Sequence, residues 1–295
     1  MKKLLILAAV VLAATACNKE VIDSPQEDNL ICMSASIGAT TRATLTDEEA
    51  QNTQFVSGKS IFVEAYETGQ SSTYTSGIYT TGDAGAMTGS LYYPASLANI
   101  DICAFYPATV NSATTSFAVG ADQTNAALYE NYDLMYATKL IDKAKGNTHA
   151  LTFNHALAKI IVTLSPGDGV TSDNISTYVS AVKINSTKLN ATTSVSAGAI
   201  TVSGVTGDAT DIVITGTNVA SQAGIIVPQT VAAGAFITIT YNNQEYVYSL
   251  PASATFAAGR VYTYALTIGT AGIVLTSSTI TNWTDGGTTN GAITL

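Results

Sequence analysis

The stretch Gly259-Arg-Val-Tyr-Thr-Tyr-Ala-Leu-Thr-Ile268 carries the clearest structural signal in the chain. Tyr262, Tyr264, Leu266 and Ile268 share one side of an extended backbone, the two-residue period of a strand with one face buried. Short segments of the same kind recur upstream at 179–184, 199–202, 211–215, 223–228, 235–241 and 246–250, with turn residues between them. That rhythm predicts a β-sandwich for which 259–268 is the closing strand. Composition points the same way. The 295 residues include 44 threonines and 23 glycines against 12 lysines and arginines, and only 11% are charged, less than half the roughly 25% of an ordinary soluble domain. Many β-branched residues and turn formers favour strands over helices, so the chain reads as all-β and long enough for two domains.

After Ile268 the sequence does not trail off in polar residues. Ala271, Ile273 and Leu275 alternate, Ile280 and Trp283 (the only tryptophan) follow, and the final tetrapeptide is apolar. Residues 269–295 are an apolar appendage on an already closed domain, and exposed apolar strands invite edge pairing.

Working back from 259–268, residues 138–147 hold three of the eight basic residues beyond Arg42 and mark the expected boundary between a domain at 30–147 and one at 148–268. Beyond it Leu151 and Phe153 have one parity and Ile160, Val162 and Leu164 the other, which predicts a bulge or break near 155–158. In the first domain, strands are expected at 60–66, 90–93 and 100–106, the last two closed by Pro94 and Pro107, with a helical turn at 47–51. The first strand begins at Leu30: Ile31, Met33, Ala35 and Ile37 lie on one side, Cys32, Ser34, Ser36 and Gly38 on the other.

The start of the chain indicates export. Met1-Lys2-Lys3 precedes an apolar run from Leu4 to Ala14, too short to span a bilayer, and Thr15-Ala16 are small residues before Cys17. Residues 1–16 read as a lipoprotein signal peptide, Cys17 as the lipidated residue and 17–29 as a tether.

Candidate sites for chemistry are few. The formal net charge of −9 supplies no positive field for nucleic acid. His149 and His155 lie six apart without a third ligand nearby, so no metal site is expected, and His155 reads as structural, satisfying backbone groups at the break. No Gly-x-Ser-x-Gly elbow, phosphate loop or calcium loop occurs, so neither catalytic residues nor a cofactor are assigned. Arginine usage says more. Arg260 lies inside the closing strand, whereas Arg42 follows a self-contained strand in a Thr/Ala stretch, an accessible cut site for an arginine-specific protease between Arg42 and Ala43.

These features in this order resemble one family. The lipobox-like Cys17, Thr-Thr-Arg42-Ala43, Phe55-Val-Ser-Gly-Lys-Ser-Ile-Phe-Val-Glu-Ala-Tyr66, Leu91-Tyr-Tyr-Pro94 and Asp101-Ile-Cys-Ala-Phe-Tyr-Pro107 come first. Tyr132-Asp-Leu-Met-Tyr-Ala137, Leu151-Thr-Phe-Asn-His-Ala-Leu-Ala-Lys-Ile160, Ala258-Gly-Arg-Val-Tyr-Thr-Tyr264 and Asn282-Trp-Thr-Asp-Gly286 follow. Together they are similar to the fimbrillins, or type V pilins, of Bacteroides-type bacteria. The resemblance implies two transthyretin-like β-sandwich domains in tandem and a surface lipoprotein on the outer membrane. It further implies loss of the first strand, 30–42, to the protease and polymerisation with other copies or related pilins into adhesive fimbriae. The donor would be 269–295, through Ile273, Leu275, Ile280 and Trp283, with folding back onto its own domain as the alternative. The other function class is a monomeric surface lipoprotein binding glycan on a face of Tyr74, Tyr79, Tyr92 and Tyr93; an enzyme is a distant third.

Cys17→Ala is expected to abolish metabolic labelling with an alkyne fatty acid. A variant labelled as strongly as the parent removes the anchor.

Overall fold

The computed structural model describes residues 29–37 and 55–282, apart from 71, 96–98, 125–130, 143–146, 197 and 215–219. Its first strands are β1 (Cys32–Ile37), β2 (Ser60–Glu67), β3 (Thr75–Thr81), β4 (Ala86–Thr88), β5 (Ile100–Tyr106), β6 (Ser116–Ala118), β7 (Met135–Ile141) and β8 (Thr148–His155). The second half contains β9 (Ala158–Pro166), α1 (Ser172–Tyr178), β10 (Val179–Thr187), β11 (Asn190–Ser196), β12 (Ala199–Thr206), β13 (Thr210–Val213) and β14 (Ser221–Ile226). It ends with β15 (Gln229–Val231), β16 (Gly234–Tyr241), β17 (Gln244–Leu250), β18 (Ala254–Phe256), β19 (Arg260–Gly269) and β20 (Gly272–Asn282). The all-β reading stands.

In the first half β1-β4-β3-β2-β5-β7-β8 closes into a barrel. Closure leaves no open sheet edge. In the second half the sheets β13-β10-β16-β17 and β14-β9-β19-β20 face one another, and Tyr264 of β19 meets Phe236 of β16 and Tyr248 of β17 across the gap, at ring separations of 5.4 and 5.8 Å.

Strand pairing divides the chain at Ala156–Leu157, not at 147–148. β8 pairs with β7 and, over its first six residues, with β1, so the basic stretch connects two neighbours in one barrel. Basic residues occur in connections within one unit as readily as between two, which is why charge alone misplaced the division. The parity break, by contrast, falls where expected: Leu151 and Phe153 fill the barrel, Ile160 and Val162 the second core. The sequence reading missed α1, although Thr171 caps it in a reciprocal capping box with Asn174.

Two cores share one wall. On β5, Ile100, Ile102, Ala104 and Tyr106 point into the barrel while Cys103 and Phe105 join the second core, so its near-continuous apolar run belongs to a strand buried on both faces. The chain then crosses over: β6 pairs with β11, and the Gln123 carboxamide mimics a strand by accepting from Ile225 N–H at 2.7 Å and donating to Ile225 O at 2.8 Å. The β11–β12 hairpin returns the contact. At its turn, Gly198 has φ +76°, and a Cβ there would overlap Cys103 and Thr138 on the barrel wall, so only glycine lets the hairpin seat so closely.

Phe105 is fully buried among second-core residues. Phe105→Ala is expected to lower unfolding free energy by about 3–5 kcal/mol, measured by chemical denaturation; a loss below about 1 kcal/mol would show that β5 does not link the two cores.

Candidate strand-exchange site

The first strand is short, yet it holds the barrel shut. Ile31, Met33, Ala35 and Ile37 are between 1% and 4% exposed, as their alternation demands. Cys32–Ile37 pair in parallel with Thr148–Phe153 of β8, and Met33 and Ser34 pair with Met87 and Ala86 of β4 on the other side. The segment before it continues the ladder: Ile31 N–H donates to Leu91 O at 2.9 Å, and Tyr93 N–H to Asn29 O at 2.8 Å.

Polar side chains complete the seat. The Tyr79 hydroxyl donates to Ile31 O at 3.0 Å and accepts from Leu91 N–H at 3.3 Å; burial pushes its pKa up to about 12, so it stays a protonated donor. The Tyr93 hydroxyl lies 2.6 Å from His149 Nε2. Since Tyr93 flanks the segment before β1 on one side and His149 lies on β8 on the other, this pair spans the barrel mouth. At Phe55, which follows the expected cut site in sequence, the ring packs edge-on against Tyr106 and Phe153 at 5.4 and 4.9 Å.

Magnitudes decide what this strand means. Fully burying each large apolar side chain is worth about 1.5–3 kcal/mol, so Ile31, Met33 and Ile37 together contribute roughly 5–9 kcal/mol. That rivals the roughly 5–15 kcal/mol net stability of a whole domain.

Among the described residues, β20 lies at the edge of its sheet, paired with β19 and with no other strand. Ile273, Leu275 and Ile280 are half-buried against the second core, while Val274 is 65% exposed. A register shift between Ala265 and Leu266 brings Ile280 onto the same face as Ile273 and Leu275. In this conformation three of the four expected donor side chains are folded back on their own domain. Trp283, Cys17, Arg42 and Ala43 lie outside the described residues, as does the expected helical turn at 47–51.

Other candidates resolve as follows. Tyr79 and Tyr93 face into the barrel, leaving only Tyr74 and Tyr92 of the expected glycan face exposed. His155 is structural, but its Nδ1 meets the buried Asp133 carboxylate at 2.8 Å, not only the backbone groups expected of it. Cys32 and Cys103 are not joined to each other. Cys103 borders a cleft of about 870 Å³ shared with Tyr66, Gln70, Asp101, Lys139 and Val195. Burial, reinforced by Glu64 and Asp101, pushes its thiol up to about 12, which makes it a poor nucleophile.

The architecture is one shared with proteins described as cell-adhesion candidates. A solved structure of such a protein from Bacteroides uniformis superposes with TM-score 0.66 at 23% identity, covering 88% of this chain and all of that one. A second, from Bacteroides ovatus, gives 0.66 at 16% identity over 86% of this chain and 97% of its own. The family model described as fimbrillin-like matches residues 41–283, and the chain belongs to that family. A Bacteroides uniformis protein named as a candidate fimbrium subunit, Fim1C, is 30% identical over 164 residues, 53% of each chain. The chain thus matches about half the length of that curated relative.

Burial holds the His149 pKa below its ordinary 6.5, the Lys139 ammonium adding to the effect and Asp142 opposing it. A histidine depressed in the folded state takes its proton more readily once unfolded, so the stability present above about pH 6.5 declines as pH falls through that value. Protonation also changes the Tyr93–His149 contact, since both ring nitrogens of an imidazolium are donors. Exchange of β1 amides relative to those of β19 is therefore expected to accelerate between about pH 7.5 and 5.5, and His149→Gln to flatten that dependence. Equal pH profiles for parent and variant would detach His149 from the seating of β1.

Proposed function

We propose that this chain is a structural pilin subunit of cell-surface fimbriae that supports adhesion and polymerises by protease-triggered strand exchange. The observation that carries the reading is β1. A strand from the beginning of the chain supplies several kcal/mol of burial to the barrel and lies between β4 and β8, and Arg42 follows it in sequence. Cutting there turns an intramolecular strand into a separable one. The vacated seat then accepts an extended segment from another subunit, through backbone ladders on both sides and alternate side chains inside.

The donor we assign is 269–295, carrying Ile273, Leu275, Ile280 and Trp283. The seat offers a partner strand on each side, β8 along its length and β4 at Met33 and Ser34, where β20 has a partner on one side. Half-buried side chains would become fully buried. Because groove and donor are different surfaces, the contact is heterologous and extends a filament instead of closing a ring. In this reading the subunit is exported through its signal peptide, lipidated at Cys17 and held at the outer membrane until an arginine-specific protease releases it. Membership of the fimbrillin-like family supports a structural role over a catalytic one, and the burial of Tyr79 and Tyr93 weighs against the glycan platform.

Filaments recovered from the cell surface are expected to contain subunits beginning at Ala43 and to run as SDS-resistant ladders on unheated gels, while Arg42→Ala leaves the subunit monomeric. Recovery of filaments whose subunits retain residues 18–42, or Arg42→Ala ladders identical to those of the parent, would overturn the mechanism.

A further inference from the structure

β1 buries side chains of uneven size. Ile31, Met33, Ala35 and Ile37 run large, large, small, large along its inward face, and all four are between 1% and 4% exposed. Ala35 pairs with Leu151 of β8, itself 1% exposed, so a longer side chain in its place would press on a buried leucine in a closely packed interior. A strand displaced by two residues keeps the same face inward, since side chains alternate, yet it changes the size of the group at each place. Overfilling a small place and underfilling a large one are both costly. An uneven row of this kind distinguishes registers that the backbone ladder treats alike.

The last strand repeats the row. Ile31-Cys-Met-Ser-Ala-Ser36 and Ile273-Val-Leu-Thr-Ser-Ser278 match position by position, with isoleucine first and serine sixth in both, Met33 against Leu275, Ser34 against Thr276 and Ala35 against Ser277. Displaced by two residues in one direction, β20 would set Leu275 in the place of Ala35 and Ser277 in that of Ile37. In the other direction Ser277 falls in the place of Met33. A reversed strand makes both errors, bringing Leu275 to Ala35 and Ser277 to Met33. The folded-back conformation does not use this row: a register shift skips Thr276 in the ladder with β19, Ser277 is exposed and Ser278 is half-buried. β1 pairs with β8 without any shift, and a regular strand in that seat turns Ser277 inward instead.

We infer that this match in side-chain size sets the register and direction in which β20 of a second copy fills the seat of β1, with Ile273 in the place of Ile31, Leu275 in that of Met33 and Ser277 in that of Ala35. The inference rests on the strand-exchange reading above and deepens it. Thr279 ends the row in the place of Ile37, and Ile280 falls past the end of the seat. Ser277 is the deciding residue: it is exposed while β20 lies on its own domain, and it meets Leu151 only in the neighbour's barrel.

The test uses the full chain carrying Cys32→Ser and Met87→Cys, cut after Arg42, and synthetic peptides of residues 270–282. Position 87 lies opposite Met33 in the native register. Of peptides carrying Ile273→Cys, Leu275→Cys or Ser277→Cys, only the second is expected to form a disulfide with position 87. In peptides without cysteine, Ser277→Leu is expected to weaken uptake roughly tenfold, while Ser278→Leu, which points outward in the seat, stays within about twofold of the parent peptide. Leu151→Ala in the acceptor should shrink the Ser277→Leu penalty, because it opens the space beside that place. In the uncut chain Ser277→Leu should leave cooperative unfolding unchanged, which separates the effect from a folding defect. Equal trapping from the three cysteine positions, or equal uptake of the Ser277→Leu and Ser278→Leu peptides, would overturn the size match while leaving strand exchange intact. Uptake of a peptide of residues 29–41 but not of 270–282 would overturn it as well. Failure of the cut protein to take up either peptide would overturn strand exchange itself.

Discussion

Six residues, all paired with β8 and two of them with β4 as well, hold the first strand in the closed barrel. In most barrels the closing strand is joined to its neighbours by short hairpins; here β1 is parallel to β8, more than a hundred residues further along the chain. Parallel pairing at that separation has to be maintained by burial, and Ile31, Met33, Ala35 and Ile37 supply it. The first part of the chain is therefore held by side-chain contacts with the rest of the barrel, not by local turns.

The rest of the molecule keeps the seat in shape. β5 stands between the two cores and gives alternate side chains to each, so the barrel wall opposite one core is the floor of the other. β6 and Gln123 carry the chain into the second unit, and the β11–β12 hairpin reaches back to the wall at Gly198. With its far side packed in this manner, the barrel has a rigid support that does not involve β1. Loss of the strand would expose a groove in an otherwise buttressed structure.

The two ends of the chain differ in the strength of their attachment. β1 has two hydrogen-bonded neighbours and a fully buried face, whereas β20 has one neighbour and a half-buried face. Pairing of β20 with β19 covers one edge of β19.

How much of this was legible in the sequence depends on how local each feature is. Alternation at Ile31–Ile37 and at Tyr262–Ile268 identified both strands and their buried faces, because a strand's period is a property of the backbone alone. The parity change between Phe153 and Ile160 located the passage from one core to the other for the same reason. The low charge and abundant threonine determined an all-β fold, and the family motifs were recognisable in their order. Tertiary structure decided the remainder. Whether β8 joins the first unit or the second depends on pairing with β1, a contact no local pattern records, and the lysines of 138–147 pointed the wrong way because connections within and between units share the same composition. Tyr79 and Tyr93 were indistinguishable from surface tyrosines until barrel closure turned them inward. Most of all, the donation of the Tyr79 hydroxyl to Ile31 O joins residues 48 apart through a ring that fits only over Gly89; such a contact exists because of where the folded backbone passes, and no single stretch of sequence encodes it.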